Sequence, residues 1–172
     1  KQHPLLRDVN TRFDVPHSRF NQITRSQLEA AGLSVLVESE SAGVHLAASQ
    51  DQYSMVFFQG HPEYDTNSLL KEYKREVMRF LNDERPDYPP KPEFYFNTAA
   101  NKLVDAFAQQ AKTLKAEGSS HTENTLSFPD QAIEAELDNT WRDSSKGIIN
   151  NWLGLVYEKN DYERKSTSQN QS

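Results

Sequence analysis

The spacing of hydrophobic residues changes several times along the chain, and each change predicts an element. Residues 1–20 carry no sustained period and are punctuated by Pro4, Asp8, Asn10, Asp14 and Pro16, so they read as loop. A helix is expected over 24–31: Thr24 suits an N-cap, Gln27 stands three residues on as in a capping box, and Gly32 suits a stop. Residues 33–39 are β-branched and partly alternating, which predicts a strand. Ser41-Ala42-Gly43 then turns the chain, and 44–49 alternate as the returning arm of a hairpin. After Asp51-Gln52, residues 53–58 are nearly all apolar, the pattern of a strand buried on both faces. Leu69, Leu70, Tyr73, Val77 and Phe80 recur at helical spacing, with Asp65 as the expected cap. Four prolines between 82 and 92 predict an irregular connection. A further helix is expected over 98–117, with Leu103, Phe107, Ala111 and Leu114 on one face and Gly118 ending it. Residues 118–128 read as a polar loop, and 129–138 as a short helix with Pro129 in its first turn. Ile148, Ile149, Trp152, Leu153 and Val156 form the stripe of a last helix. Beyond 158 the composition turns polar, and 159–172 are expected to be a disordered tail. No internal repeat is visible.

Composition narrows the classes. The chain has 172 residues, enough for one core of useful size, but only 35% are hydrophobic. A net charge of −6 argues against a general nucleic-acid binder. No apolar run approaches the length of a membrane span, and Lys1-Gln2-His3-Pro4 lacks the apolar stretch of a signal peptide. A cytoplasmic protein is the expectation. There is no cysteine, so neither disulfides nor thiolate metal sites can form within the chain.

The candidate chemistry lies in Gly60-His61-Pro62-Glu63-Tyr64-Asp65, between the apolar run and the next helix. That order places the cluster at the C-terminal end of a strand, the edge where open α/β sheets bind ligands. His61 can act as a general base, and Glu63, two residues away on a turn held by Gly60 and Pro62, can orient it. By spacing alone, two such residues near a turn are more often surface polar groups. Two ligands do not define a metal site, and none is expected.

The hexapeptide in full resembles the His-Pro-Glu-Tyr-Asp motif of the homoserine O-succinyl- and O-acetyltransferases. Other segments agree in the same order. His3-Pro4-Leu5-Leu6-Arg7 is similar to a family segment, and Pro16-His17-Ser18-Arg19-Phe20 matches the family's Pro-His-Ser-Arg-Tyr except for the last ring. Residues 69–77 resemble the helix that carries a substrate-binding arginine, here Arg75. Thr140-Trp141-Arg142 and Asn151-Trp152-Leu153 match the terminal helix. The resemblance covers about residues 1–82 and 139–157. Residues 83–138 are longer than the family's usual connection and add a helix, and Ser144 stands where many members have histidine.

The resemblance implies an α/β fold: the C-terminal part of a class I glutamine amidotransferase-like (flavodoxin-like) domain over 1–158, with a helical insertion around 83–138. It implies acyl transfer from succinyl-CoA or acetyl-CoA to the hydroxyl of L-homoserine, on the route to methionine. His61 would be the base and Glu63 its orienting acid, in a Cys-His-Glu triad whose cysteine lies in an N-terminal half not present in this sequence. Ser18 and Arg75 would contact homoserine. An arginine can hold a carboxylate bidentately where a lysine cannot, although Lys71 and Lys74 beside Arg75 also suit a solvated charged face. Acyl-CoA would be a co-substrate rather than a bound cofactor, and the family suggests a homodimer. Alone, this chain is expected to be inactive and to aggregate or unfold. Two alternatives stay open: a glutamine amidotransferase-type domain, and a non-catalytic paralogue serving as a binding subunit.

Overall fold

The computed structural model describes residues 3–117 and 126–169, with 163–169 as backbone only. The chain forms two compact units, one built from Lys1–Glu63 with Thr140–Ser172 and the other from Tyr64–Asn139. The division falls directly after Glu63. The architecture is mixed α/β with a small antiparallel sheet.

The first unit opens with a 3-10 turn at Pro4–Leu6, which the sequence pattern left as loop. Helix α1 (Arg25–Ala30) starts at the expected capping box. The Gln27 amide donates to Thr24 Oγ1 at 3.3 Å, and the Thr24 amide donates to Gln27 Oε1 at 2.9 Å. Gly32 follows at φ 79°, a left-handed conformation that favours glycine. Strands β1 (Ser34–Ser39) and β2 (Gly43–Ala48) form the predicted hairpin, with Ser39 opposite Gly43 and Ser34 opposite Ala48. Strand β3 (Val56–Phe58) pairs antiparallel to β2, giving the order β1-β2-β3.

Two expectations change here. The strand predicted over 53–58 is only Val56–Phe58, and Met55 and Phe57 are exposed rather than buried. The cause is local. The Asp51 carboxylate accepts from the amides of Tyr53 and Ser54 at 3.2 and 3.1 Å, so the first residues of the apolar run are held in a turn. What remains is an edge strand, paired only with β2 among the described residues. The sheet is also antiparallel, so the rule that ligands gather at the carboxyl edge of a parallel sheet does not apply to these three strands by themselves.

Strand β2 is the centre of the unit and is almost wholly buried. Leu46 packs with Val9 and with Ile148 of α5 (Arg142–Gln169), while Val44 and Ala47 pack with Leu28 of α1. Helix α5 is fastened at two places. Asn151 Nδ2 donates to the Leu5 and Arg7 carbonyls at 3.1 and 2.7 Å, and Trp152 Nε1 donates to the Tyr53 carbonyl at 2.8 Å. It continues helical to Gln169, past the boundary expected at 158.

The second unit is helical. Helix α2 (Ser68–Leu81) buries Leu70, Tyr73, Val77 and Phe80 against Ala100, Val104, Phe107 and Ala111 of α3 (Thr98–Ala116), with Phe128 and Ile133 completing the core. Asn67, not Asp65, is the residue before α2, and its side chain makes no capping bond; the Asp65 carbonyl instead accepts from the Ser68 amide at 3.0 Å. On α3 the buried face is rotated from the expected one: Ala100 and Val104 are buried, and Leu103 packs at the margin. The short helix is α4 (Asp130–Glu134), and Pro129 precedes it as N-cap. The expected end of α3 at Gly118 and most of the polar loop after it lie outside the described residues.

Candidate active site

The site is assembled where β3 leaves the sheet. The Gln59 amide donates to the His45 carbonyl at 2.8 Å. The Gln59 side chain bridges back, donating to the carbonyls of Ile23 and Val44 at 2.8 and 3.1 Å and accepting from the Ile23 amide at 2.8 Å. Gly60 is buried behind it. A β-carbon there would lie 2.6 Å from Val15 Cγ1, 2.8 Å from His45 Nδ1 and 3.0 Å from His17 Nε2. The turn thus requires glycine for space, and the contacts that demand it come from two other segments, the one before α1 and strand β2. Gly60→Ala is expected to destabilise the first unit by about 1–3 kcal/mol through overpacking. A urea midpoint equal to that of the parent would contradict this.

His61 comes next, and the segment before α1 clasps it. Its amide donates to the Pro16 carbonyl at 2.7 Å. Its ring lies between two acceptors: Nδ1 is 2.8 Å from Glu63 Oε1, and Nε2 is 3.1 Å from the Ser18 carbonyl. A neutral ring has one hydrogen and can serve one of these acceptors; the imidazolium serves both. With its hydrogen on Nδ1 for Glu63, the ring keeps Nε2 basic. Once Nε2 has taken a proton, the Ser18 carbonyl is placed to accept from it. His61 is 32% exposed and Glu63 67%, so the pair is reachable by a reactant.

The structure brings together His61, Glu63 and Ser18, the last through its backbone carbonyl. Arg75 belongs to the second unit, on an exposed position of α2, with its Nε 3.4 Å from Glu76 Oε1. Among the described residues no three His, Cys, Asp or Glu side chains gather as a metal site would need, and no helix is long and apolar enough to cross a membrane.

Residues to which the sequence pattern gave no role surround the turn. Arg19 donates to His17 Nδ1 and to the Ala42 carbonyl. His17 and His45 lie with ring centroids 5.8 Å apart in edge contact. Burial, and then the Arg19 charge, hold the His17 imidazole down at about 4, and burial followed by His17 and Arg19 does the same for His45. Both rings are therefore neutral at physiological pH. The unfolded chain protonates them near 6.5, so above that pH they give no slope. As pH falls from 6.5 towards 4, the unfolded state binds protons that the folded state refuses, and stability is lost. The urea midpoint of the complete protein should fall over this window, and His45→Leu should flatten the slope; equal slopes in the two proteins would refute the assignment.

The homoserine O-succinyltransferase family model matches residues 1–162. The chain belongs to that family. It is 52% identical over 163 residues to a homoserine O-succinyltransferase of Methylococcus capsulatus, a match covering 95% of this chain and 45% of the relative. Against the enzyme of the same name from Allochromatium vinosum, identity is 51% over 167 residues, covering 97% and 46%. Against that of Cardiobacterium hominis it is 42% over 164 residues, covering 95% and 44%. The chain thus spans about half the length of the curated relatives it matches.

Proposed function

We propose that the chain is the base-bearing part of a homoserine O-acyltransferase, which moves a succinyl group from succinyl-CoA to the hydroxyl of L-homoserine on the route to methionine. The observation that carries this reading is the His61–Glu63 pair, 2.8 Å apart on a turn clasped by Pro16 and Ser18. The names of the relatives favour succinyl over acetyl as the group transferred.

The chemistry follows from the pair. A cysteine thiolate from the rest of the protein attacks the thioester of the acyl-CoA and takes the acyl group, and the CoA sulfur leaves as the thiol with the proton held on His61 Nε2, which leaves that ring neutral. His61 Nε2 then removes the proton of the homoserine hydroxyl as its oxygen attacks the acyl carbon, and the thiolate leaves. Glu63 holds the Nδ1 hydrogen throughout and balances the imidazolium charge. Ser18 and Arg75 are assigned to homoserine, Arg75 as the partner of its carboxylate. The surrounding fold is assigned to the amidotransferase-like class, with the three antiparallel strands extending a larger sheet, and the working unit is assigned as a homodimer in the cytoplasm.

The test is an assay of the complete protein with L-homoserine and either succinyl-CoA or acetyl-CoA, following CoA release and product mass. Succinyl transfer dependent on homoserine is expected. This chain by itself should release no CoA, having no thiol. Glutamine hydrolysis without acyl-CoA dependence would instead support an amidotransferase, and no turnover by the complete protein would support a non-catalytic subunit.

A further inference from the structure

The turn that carries His61 rests on two imidazoles that the reaction above does not use. His45 stands in the middle of β2 and is 3% exposed. Its ring is walled by Phe13, Phe58 and His17, with centroids 6.4, 5.5 and 5.8 Å away. Its Nδ1 has no hydrogen-bond partner among the described residues. A buried polar atom left unpaired destabilises a fold, and an aliphatic side chain of similar size at this place would avoid that cost. Stability alone therefore does not account for histidine here.

What His45 Nδ1 does face is the Gly60 backbone. His45 Nδ1 and His17 Nε2 converge on the point where a side chain at Gly60 would begin, 2.8 and 3.0 Å from it. The His45 carbonyl holds the Gln59 amide at the same time. His17 is oriented in its turn: Arg19 donates to its Nδ1, which leaves the ring hydrogen on Nε2, the side towards Gly60. The other arm of the Arg19 guanidinium is anchored on the Ala42 carbonyl, in the β1–β2 turn. The two residues preceding His61 are thus gripped from β2 and from the segment that also supplies Pro16 and Ser18, which Arg19 ties to the β1–β2 turn.

We propose that His45, acting with His17 across Gly60, is a positioning residue that sets where the His61–Glu63 pair stands. The assignment rests on the reading of His61 as the base. A neutral ring suits the task. The charged groups facing it are Arg19 and Glu63, and a cation at position 45 would pull on the carboxylate that His61 needs. Small displacements of a base are costly, because proton transfer requires near-ideal approach.

The test uses the complete protein with His45→Leu and His45→Asn, the second keeping a polar atom near the place of Nδ1. Kinetics with homoserine and succinyl-CoA are measured beside thermal melting and nitrogen-15 histidine NMR of the His61 ring. His45→Leu should lower kcat by about 10–100-fold, move either KM by no more than about twofold, and melt no earlier than the parent. The His61 titration should shift in the same variant, and His45→Asn should restore both readouts. A purely structural His45 gives the opposite set: an earlier melt, with kcat and the His61 titration of the folded fraction unchanged. That result overturns the proposal. If the parent shows no acyl transfer, the proposed function fails, and the NMR arm still decides: an unmoved His61 titration in His45→Leu refutes positioning, and a shifted one supports it. Should His45→Leu not fold, His17→Leu, which removes the second imidazole across Gly60, carries the same readouts.

Discussion

Replacing His61 by glutamine in the complete protein is expected to lower kcat by about 10²–10⁴-fold, the range over which a positioned general base contributes. Glutamine keeps a polar group near the Ser18 carbonyl but cannot take a proton. The loss corresponds to about 3–5 kcal/mol of barrier, at 1.36 kcal/mol per tenfold. It should fall on kcat and kcat/KM alike, because the proton is transferred only as the bond forms, while KM for homoserine should move little. Glu63→Gln should cost less, since its amide oxygen can still accept from Nδ1 while the charge that balances the imidazolium is gone. The two variants separate readings: a His61→Gln protein that keeps within about threefold of parental kcat would remove His61 from the chemistry. Equal losses in both variants would instead mean that the pair acts as one unit.

Phe107→Ala is expected to remove about 3–5 kcal/mol from the second unit, the usual cost of truncating a buried aromatic. Phe107 is 4% exposed on α3, and its ring meets Phe128 edge-on at 4.9 Å, a pairing that adds to simple burial. Phe128 in turn meets Tyr73 of α2 at 6.4 Å, so one truncation loosens the contact that joins α2, α3 and the segment before α4. Against a typical net stability of about 5–15 kcal/mol this is a large fraction. The measurement is urea unfolding, followed by limited proteolysis to locate the opened segment, and cleavage should concentrate within Tyr64–Asn139. Phe94→Ala is the control. Phe94 is 95% exposed, and its loss should stay within about 0.5 kcal/mol. Equal costs at the two phenylalanines would mean that the core has been misassigned.

Much of this architecture could be read locally. The Thr24–Gln27 box, the hairpin around Gly43 and the stripe on α2 depend on residues a few places apart, and propensity and period report them directly. The His61–Glu63 pair was legible for the same reason, being two residues apart on a glycine turn. The extent of β3 was not: hydrophobicity suggested six residues, while four hydrogen bonds to Asp51 decided otherwise. The continuation of α5 was hidden because Glu158, Lys159 and Glu163 are good helix formers that also raise polarity. His45 carried no signal within an alternating strand, since its significance comes from Gly60, fifteen residues later, and from His17, twenty-eight earlier. Contacts of that kind exist only once the chain has folded.

The first unit is written in two pieces, and this has a consequence for the newly made chain. Asn151 closes onto the Leu5 and Arg7 carbonyls, and Ile148 completes the packing of Leu46 and Val9. On the ribosome, the segment ending at Glu63 therefore emerges without its closing helix and waits while Tyr64–Asn139 is synthesised. At about 5–20 residues per second that delay is on the order of 4–15 s. The helical unit, whose core residues all lie within Tyr64–Asn139, can finish first, and the hairpin with its apolar edge is the part that a nascent-chain chaperone would find exposed.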